Sequence, residues 1–99
     1  MRIAIASLDK NEDAEISKVG GRAPYFLIFD DNKLVKVIEN PFRFEGGAGW
    51  KVVEMLHREG VEMIIAGSIG ERMRETMNEK GIKYKEVSGK VKDALKNLA

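Results

Sequence analysis

A chain of 99 residues, 43% of them hydrophobic, is long enough to bury one core and too short to add a separate catalytic lobe. Seventeen basic against sixteen acidic residues leave a formal net charge of +1, so no whole-molecule field favours a polyanion and nucleic-acid binding gains no support. There is no cysteine, which excludes a disulfide framework and a thiolate metal site.

Arg2 to Ser7 opens the chain as a strand, with Ile3 and Ile5 on one face and the small Ala4 and Ala6 on the other, where a helix could approach closely. Its apolar run is too short for a signal peptide, and no later run approaches membrane-span length, so the protein is expected to be cytoplasmic with no membrane partner. Leu8 to Ala23 is polar and irregular, anchored to the core by Ile16 and Val19, and longer than most connections in a compact domain. Pro24 admits a strand only at its start, and Tyr25 to Phe29 supplies one.

Asp30-Asp31-Asn32-Lys33 is turn chemistry, so Leu34 to Glu39 should return as the other arm of a hairpin. Lys36 between Val35 and Val37 suits an edge strand. Asn40-Pro41 ends it, and Phe42 and Phe44 are expected to pin the next loop to the core. Gly46-Gly47-Ala48-Gly49 then leads into a helix whose Gly49, Val52, Val53 and Leu56 fall at i, i+3, i+4, i+7, with Gly60 as its stop.

The run Met63-Ile64-Ile65-Ala66 is apolar on both side-chain parities, as a strand covered on both faces must be. It ends in Gly67-Ser68-Ile69-Gly70, which opens a helix from Glu71 to Lys80 with Met73 and Met77 one turn apart. After Gly81, Ile82 to Val87 reads as a short edge strand. Ser88 can cap a last helix carrying Val91, Ala94, Leu95 and Leu98 at the core spacing.

With no repeat or linker, the expectation is one α/β domain over residues 1–99, with a five-stranded mixed sheet in the order 3-2-1-4-5. Helices cover both faces in three layers, and only strand 2 is antiparallel. The chain reverses its direction of travel between strands 1 and 4, and open α/β sheets bind ligands at such a point, beyond the carboxyl ends of the strands. Three glycine-containing stretches converge there: Gly21-Arg22, Gly46-Gly47-Ala48-Gly49 and Gly67-Ser68-Ile69-Gly70.

Gly21, Gly46, Gly47, Gly49, Gly67, Ser68 and Gly70 are therefore candidates for holding an anion on backbone N–H groups at two helix N-termini, with Arg22 as a charged clamp. Each glycine is equally ordinary turn material, and Arg22 could be a paired surface residue. His57, the only histidine, falls at a helix end and is expected to face solvent; Met55, Met63, Met73 and Met77 fall at packing positions. Trp50 could face a ligand or partner, or simply cover the adjacent loop. No carboxylates cluster on the strands and neither Ser7 nor Ser68 has a nearby histidine, so binding is a stronger inference than catalysis. A nuclease, suggested by fold analogy alone, is the outside alternative.

Five stretches together resemble the dinitrogenase iron-molybdenum cofactor biosynthesis family, the small domains of the NifX, NifY and NifB C-terminal type. They are Ile3-Ala4-Ile5-Ala6-Ser7, Gly21-Arg22-Ala23-Pro24-Tyr25-Phe26, Ile38-Glu39-Asn40-Pro41, Gly46-Gly47-Ala48-Gly49 and Ile64-Ile65-Ala66-Gly67-Ser68-Ile69-Gly70. The resemblance implies a ribonuclease-H-like fold and a non-enzymatic carrier or accessory protein for an iron-sulfur or iron-molybdenum cofactor, with a protein partner in cluster assembly. Family members implicated in cofactor binding read Ser-x-His-Phe-Gly-Arg before the proline, whereas this chain has Ser17-Lys18-Val19-Gly20-Gly21-Arg22. With Val19 in place of that histidine and no cysteine, backbone N–H groups and Arg22 remain to hold an anionic ligand without direct ligation of iron. The alternative is a protein or nucleic-acid interaction module that kept the fold and lost the cofactor.

Overall fold

The computed structural model describes residues 1–98. In chain order these form β1 (Arg2–Ser7), a 3-10 turn (Gly20–Arg22), β2 (Tyr25–Asp30), β3 (Lys33–Glu39), α1 (Gly49–Arg58), β4 (Met63–Ala66), α2 (Glu71–Lys80), β5 (Lys83–Glu86) and α3 (Val91–Lys96). The sheet runs β3-β2-β1-β4-β5, as the sequence predicts. β1 lies antiparallel to β2, with Ser7 opposite Tyr25, and parallel to β4, with Ile5 beside Ile65. β2 is antiparallel to β3 and β4 parallel to β5, so β2 alone opposes the others.

Asp31 and Asn32 turn the β2–β3 hairpin with φ of 48° and 67°, the left-handed pair that a two-residue hairpin needs and that Asp and Asn tolerate. Ile28 pairs with Lys36 but Phe29 with Leu34, so Val35 bulges out of β3. α2 stops at Gly81, whose φ of 69° lets the N–H of Ile82 reach back to the Met77 carbonyl at 2.9 Å.

Strand alternation divides the core in two. Ala4, Ala6, Phe26, Ile28, Ile64 and Ala66 meet Val52, Val53 and Leu56 of α1 and Met73 and Met77 of α2. Ile3, Ile5, Leu27, Phe29 and Ile65 meet Val91 and Leu95 of α3 on the opposite face. The two alanines of β1 sit under the larger helix pair, where their size lets α1 and α2 come close. Phe26, Phe29, Leu56 and Met77 are fully buried, each contributing ~1.5–3 kcal/mol of apolar burial.

The long connection between β1 and β2 is sewn across the carboxyl edge of the sheet. Ser17 N–H donates to the Ala6 carbonyl at 2.9 Å, Gly67 N–H to Ser17 at 2.8 Å and Gly20 N–H to Ser68 at 3.0 Å. Farther back, Ile16 N–H donates to Gly89, Val91 N–H to Ala14 and Lys92 N–H to Glu12. Ile16 is buried as expected. Val19 is not a core anchor: it is 48% exposed, because this stretch is held by its backbone and by the buried Ser17.

Two further expectations give way. Phe42 packs against the core, but Phe44 is 89% exposed at the tip of its loop, where the Arg43 guanidinium lies 4.7 Å from its ring. Ser88 does not cap α3; the N-cap is Lys90, extended because it bridges to Glu15, and no side chain bonds the helix end. No helix among the described residues is long and apolar enough to cross a membrane.

Candidate functional site

Where β1 and β4 end and β2 begins, a cleft of about 280 Å³ opens between the 3-10 turn and the N-termini of α1 and α2. One wall is Val19, Gly21 and Arg22; the second is Glu45, Gly47, Ala48 and Gly49; the third is Gly70, Glu71, Arg72 and Met73. Gly21, Arg22, Gly47, Gly49 and Gly70 thus come together from three separate parts of the chain. Gly46 precedes the second wall without lining it, and Gly67 and Ser68 lie outside the cleft.

The glycines are there for different reasons. A Cβ on Gly67 would stand 2.7 Å from the Lys18 Cα, so this glycine lets the strap cross the end of β4; Ser68 helps by donating its hydroxyl to the Lys18 carbonyl at 2.7 Å. Gly49 leaves room for Met73 of α2, and a Cβ on Gly21 would lie in ordinary contact with the Gly49 Cα at 3.4 Å, so the turn and α1 adjoin there. Gly47 takes a φ of 69°. Gly70 is unlike these: its φ is −66° and a Cβ there would meet nothing within 4 Å. No packing demand accounts for it, and it borders the cleft.

Neither α1 nor α2 has a side chain bonded across its N-terminus. In α1 the Lys51 N–H returns to the Ala48 carbonyl at 2.9 Å, while the N–H groups of Gly49 and Trp50, and of Glu71, Arg72 and Met73 in α2, have no such partner and carry the partial positive charge of the helix end. Arg22 and Arg72 border the same space, and neither forms a salt bridge among the described residues. Of the two carboxylates nearby, Glu45 is paired with Lys51, while Glu71 sits in the first turn of α2. Met73 is 2% exposed, and its thioether packs beside Gly21 and Gly49 at the foot of the cleft. The cleft therefore combines N–H and guanidinium donors with an apolar floor.

The Ser7 hydroxyl donates to the Asp9 carbonyl at 2.6 Å, and Ser68 is engaged with Lys18, so both hydroxyl protons are directed at backbone oxygens. His57 is exposed in the last turn of α1, as expected, remote from the cleft. Trp50 is 44% exposed, with the Lys51 ammonium 5.7 Å from its ring. Among the described residues, no three acidic or histidine side chains gather to hold a metal ion.

The family model described as dinitrogenase iron-molybdenum cofactor matches residues 1–99. The chain belongs to the dinitrogenase iron-molybdenum cofactor family. Among solved structures it is similar to the protein PH0822, with 32% identity over 99% of this chain and 89% of the other and a TM-score of 0.84. It is also similar to a candidate NifB protein from Thermotoga, TM1290, described as belonging to the DUF35 family: 35% identity over 98% and 85% of the two chains, TM-score 0.83. The apo form of the orange protein from Desulfovibrio gigas superposes with a TM-score of 0.90 over 98% of this chain and 85% of that one, and at 22% identity this likeness shows the fold alone. No curated protein matches this sequence.

A family associated with an iron-molybdenum cofactor sets a chemical test for the cleft. Its walls offer iron no thiolate, imidazole or carboxylate cluster, so the residues do not fit direct ligation. They do fit an anion that brings its own ligands. Val19 lines the cleft and brings no metal-ligating atom to it.

Sequence reasoning missed four parts of this site. In sequence Arg72 and Glu71 read only as helix residues and Met73 only as packing, and their helical spacing gives no sign of a second duty. Asn40 reads only as the end of a strand. It is 2% exposed and bonded to the carbonyls on either side of Arg22, and nothing in Asn40-Pro41 as a sequence shows this.

Proposed function

We propose that this chain is a non-enzymatic carrier for an anionic cargo, an iron-sulfur or iron-molybdenum type cluster or a related oxyanion, held in the cleft between the N-termini of α1 and α2. The observation that carries this is the pairing of two helix N-termini lacking side-chain caps with Arg22 and Arg72 around one apolar-floored space. Family membership supports the class of cargo, and the open space at Gly70 supports the place. The donor set favours binding through hydrogen bonds to the outside of the cargo, so the cluster arrives and leaves intact. Titration with molybdate, following backbone amide shifts, tests the site. The result expected is movement of Gly47 to Gly49 and Gly70 to Met73; shifts gathered at His57, or none in these loops, would sink it. Metal analysis and visible spectra of anaerobically purified protein, before and after cluster reconstitution, test the cargo.

A second role at the same mouth is protein docking. Phe44, Trp50 and Val19 are exposed beside the cleft, and aromatic residues with arginine are the usual anchors of protein interfaces. Phe44→Ser should leave molybdate binding unchanged and slow transfer of a loaded cluster to an acceptor protein; unchanged transfer would remove this role.

A further inference from the structure

Asn40 stands at the end of β3, buried, with its hydrogen-bonding capacity committed in two directions. Its Nδ2 donates to the Gly21 carbonyl at 3.2 Å and to the Ala23 carbonyl at 2.9 Å, so the two bonds straddle Arg22. Its Oδ1 accepts the Phe42 N–H at 2.9 Å, and its own N–H donates to the Pro24 carbonyl at 3.0 Å. Both side-chain donors and the acceptor are used, a combination no other side chain of this size supplies.

The turn that presents Arg22 is poorly held by itself. Its internal bonds, Arg22 N–H to Val19 and Ala23 N–H to Gly20, measure 3.3 and 3.5 Å, at or beyond the long end of the normal range. The bond to Ala23 from Asn40 is the short one. On the other side, Phe42 begins the connection that brings Glu45 and Gly47 to the second wall. One amide group therefore holds the first wall of the cleft and the root of the second.

We infer that Asn40 is a positioning residue for anion binding: it holds the Gly20–Arg22 turn so that Arg22 keeps its place on the cleft wall. This rests on the cleft being the anion site, and the two can fail separately. The test is a double-mutant cycle on the full chain, with molybdate as the titrant and Arg22→Ala, Asn40→Asp and the double variant compared. In Asn40→Asp the carboxylate still accepts from Phe42 N–H but faces the Gly21 and Ala23 carbonyls without a proton to donate. The loss of these bonds should weaken molybdate binding about tenfold. In the Arg22→Ala background the same change should have no further effect, because residues acting through one contact are not additive.

Full additivity, or undiminished binding by Asn40→Asp while Arg22→Ala is weakened, overturns this inference and leaves the cleft standing. If the wild type binds no molybdate, both fall. A measurement on the wild type covers the case in which the variants do not fold. Reciprocity requires that anion binding at Arg22 tighten the turn, so the Asn40 side-chain NH₂ should shift and exchange more slowly on saturation. An unchanged Asn40 NH₂ signal in the saturated protein overturns the inference as well.

Discussion

Gly49 and Met73 approach so closely that a Cβ on the glycine would lie 2.5 Å from the Met73 Cγ. That contact brings the N-termini of α1 and α2 side by side. Gly49→Ala should force the helices apart at a cost of about 1–3 kcal/mol, the usual range for overpacking. Thermal unfolding should show it as a clear loss in Tm; an alanine variant as stable as the wild type would mean that α1 and α2 can separate freely at this end.

Gly70 makes the opposite case. It is the N-cap of α2 with open space around its Cα, and serine is a better N-cap than glycine by a few tenths of a kcal/mol. Gly70→Ser should leave Tm unchanged or slightly raised, yet weaken molybdate binding, because the hydroxyl competes for the amides the anion would use. Loss of stability together with binding would point to a structural role for the glycine.

Arg22 is exposed and has no salt bridge among the described residues, so its removal should spare the fold. Arg22→Ala should cost about 1.5–3 kcal/mol of anion affinity, the worth of a hydrogen bond to a charged group. Calorimetric titration of the two proteins with molybdate checks this, and equal affinities would take Arg22 out of the site.

The pair Asp13 and Lys92, 2.8 Å apart, ties the strap to α3. The hydrogen bond from Lys92, and then its charge, hold the Asp13 carboxyl below its ordinary 3.8, and the same contact raises Lys92 above 10.5. A lowered carboxyl stabilises the fold above its unfolded value and loses that contribution as pH falls through the folded one. A raised ammonium contributes fully below its unfolded value and loses it as pH rises through the folded one. The tie should therefore be intact from about pH 4 to 10 and weaken outside that window. Exchange of the Val91 and Lys92 amides, which bond to Ala14 and Glu12, should speed up on acidification once intrinsic rates are removed. Asn in place of Asp13 should flatten that acid response.

The strand order, the antiparallel β2 and the joining of Gly21, Arg22, Gly47, Gly49 and Gly70 were legible because each follows from local patterns: strand parity, a hairpin turn, two crossover helices. What stayed hidden depends on contacts between distant residues. Gly67 and Gly70 are three residues apart in one motif, yet only Gly67 is required by packing, because Lys18, distant in sequence, crosses it. The exposure of Val19 and Phe44 could not be foreseen, since burial depends on which neighbours arrive. Asn40 looks like any strand-ending asparagine until the turn it clamps is in place.

The strap from Leu8 to Ala23 has almost no regular structure of its own, and its backbone bonds reach β1, the turn after β4 and the start of α3. It should form only after those elements have assembled and open, as one cooperative unit, before the sheet does. Its last residues are the first wall of the cleft. Opening the strap would therefore empty the cleft, and an anion held there would protect amides as far away as Lys92, whose N–H donates to Glu12, from exchange. Such a ligand adds its binding free energy to the least stable part of the molecule, so loading and local folding become a single equilibrium.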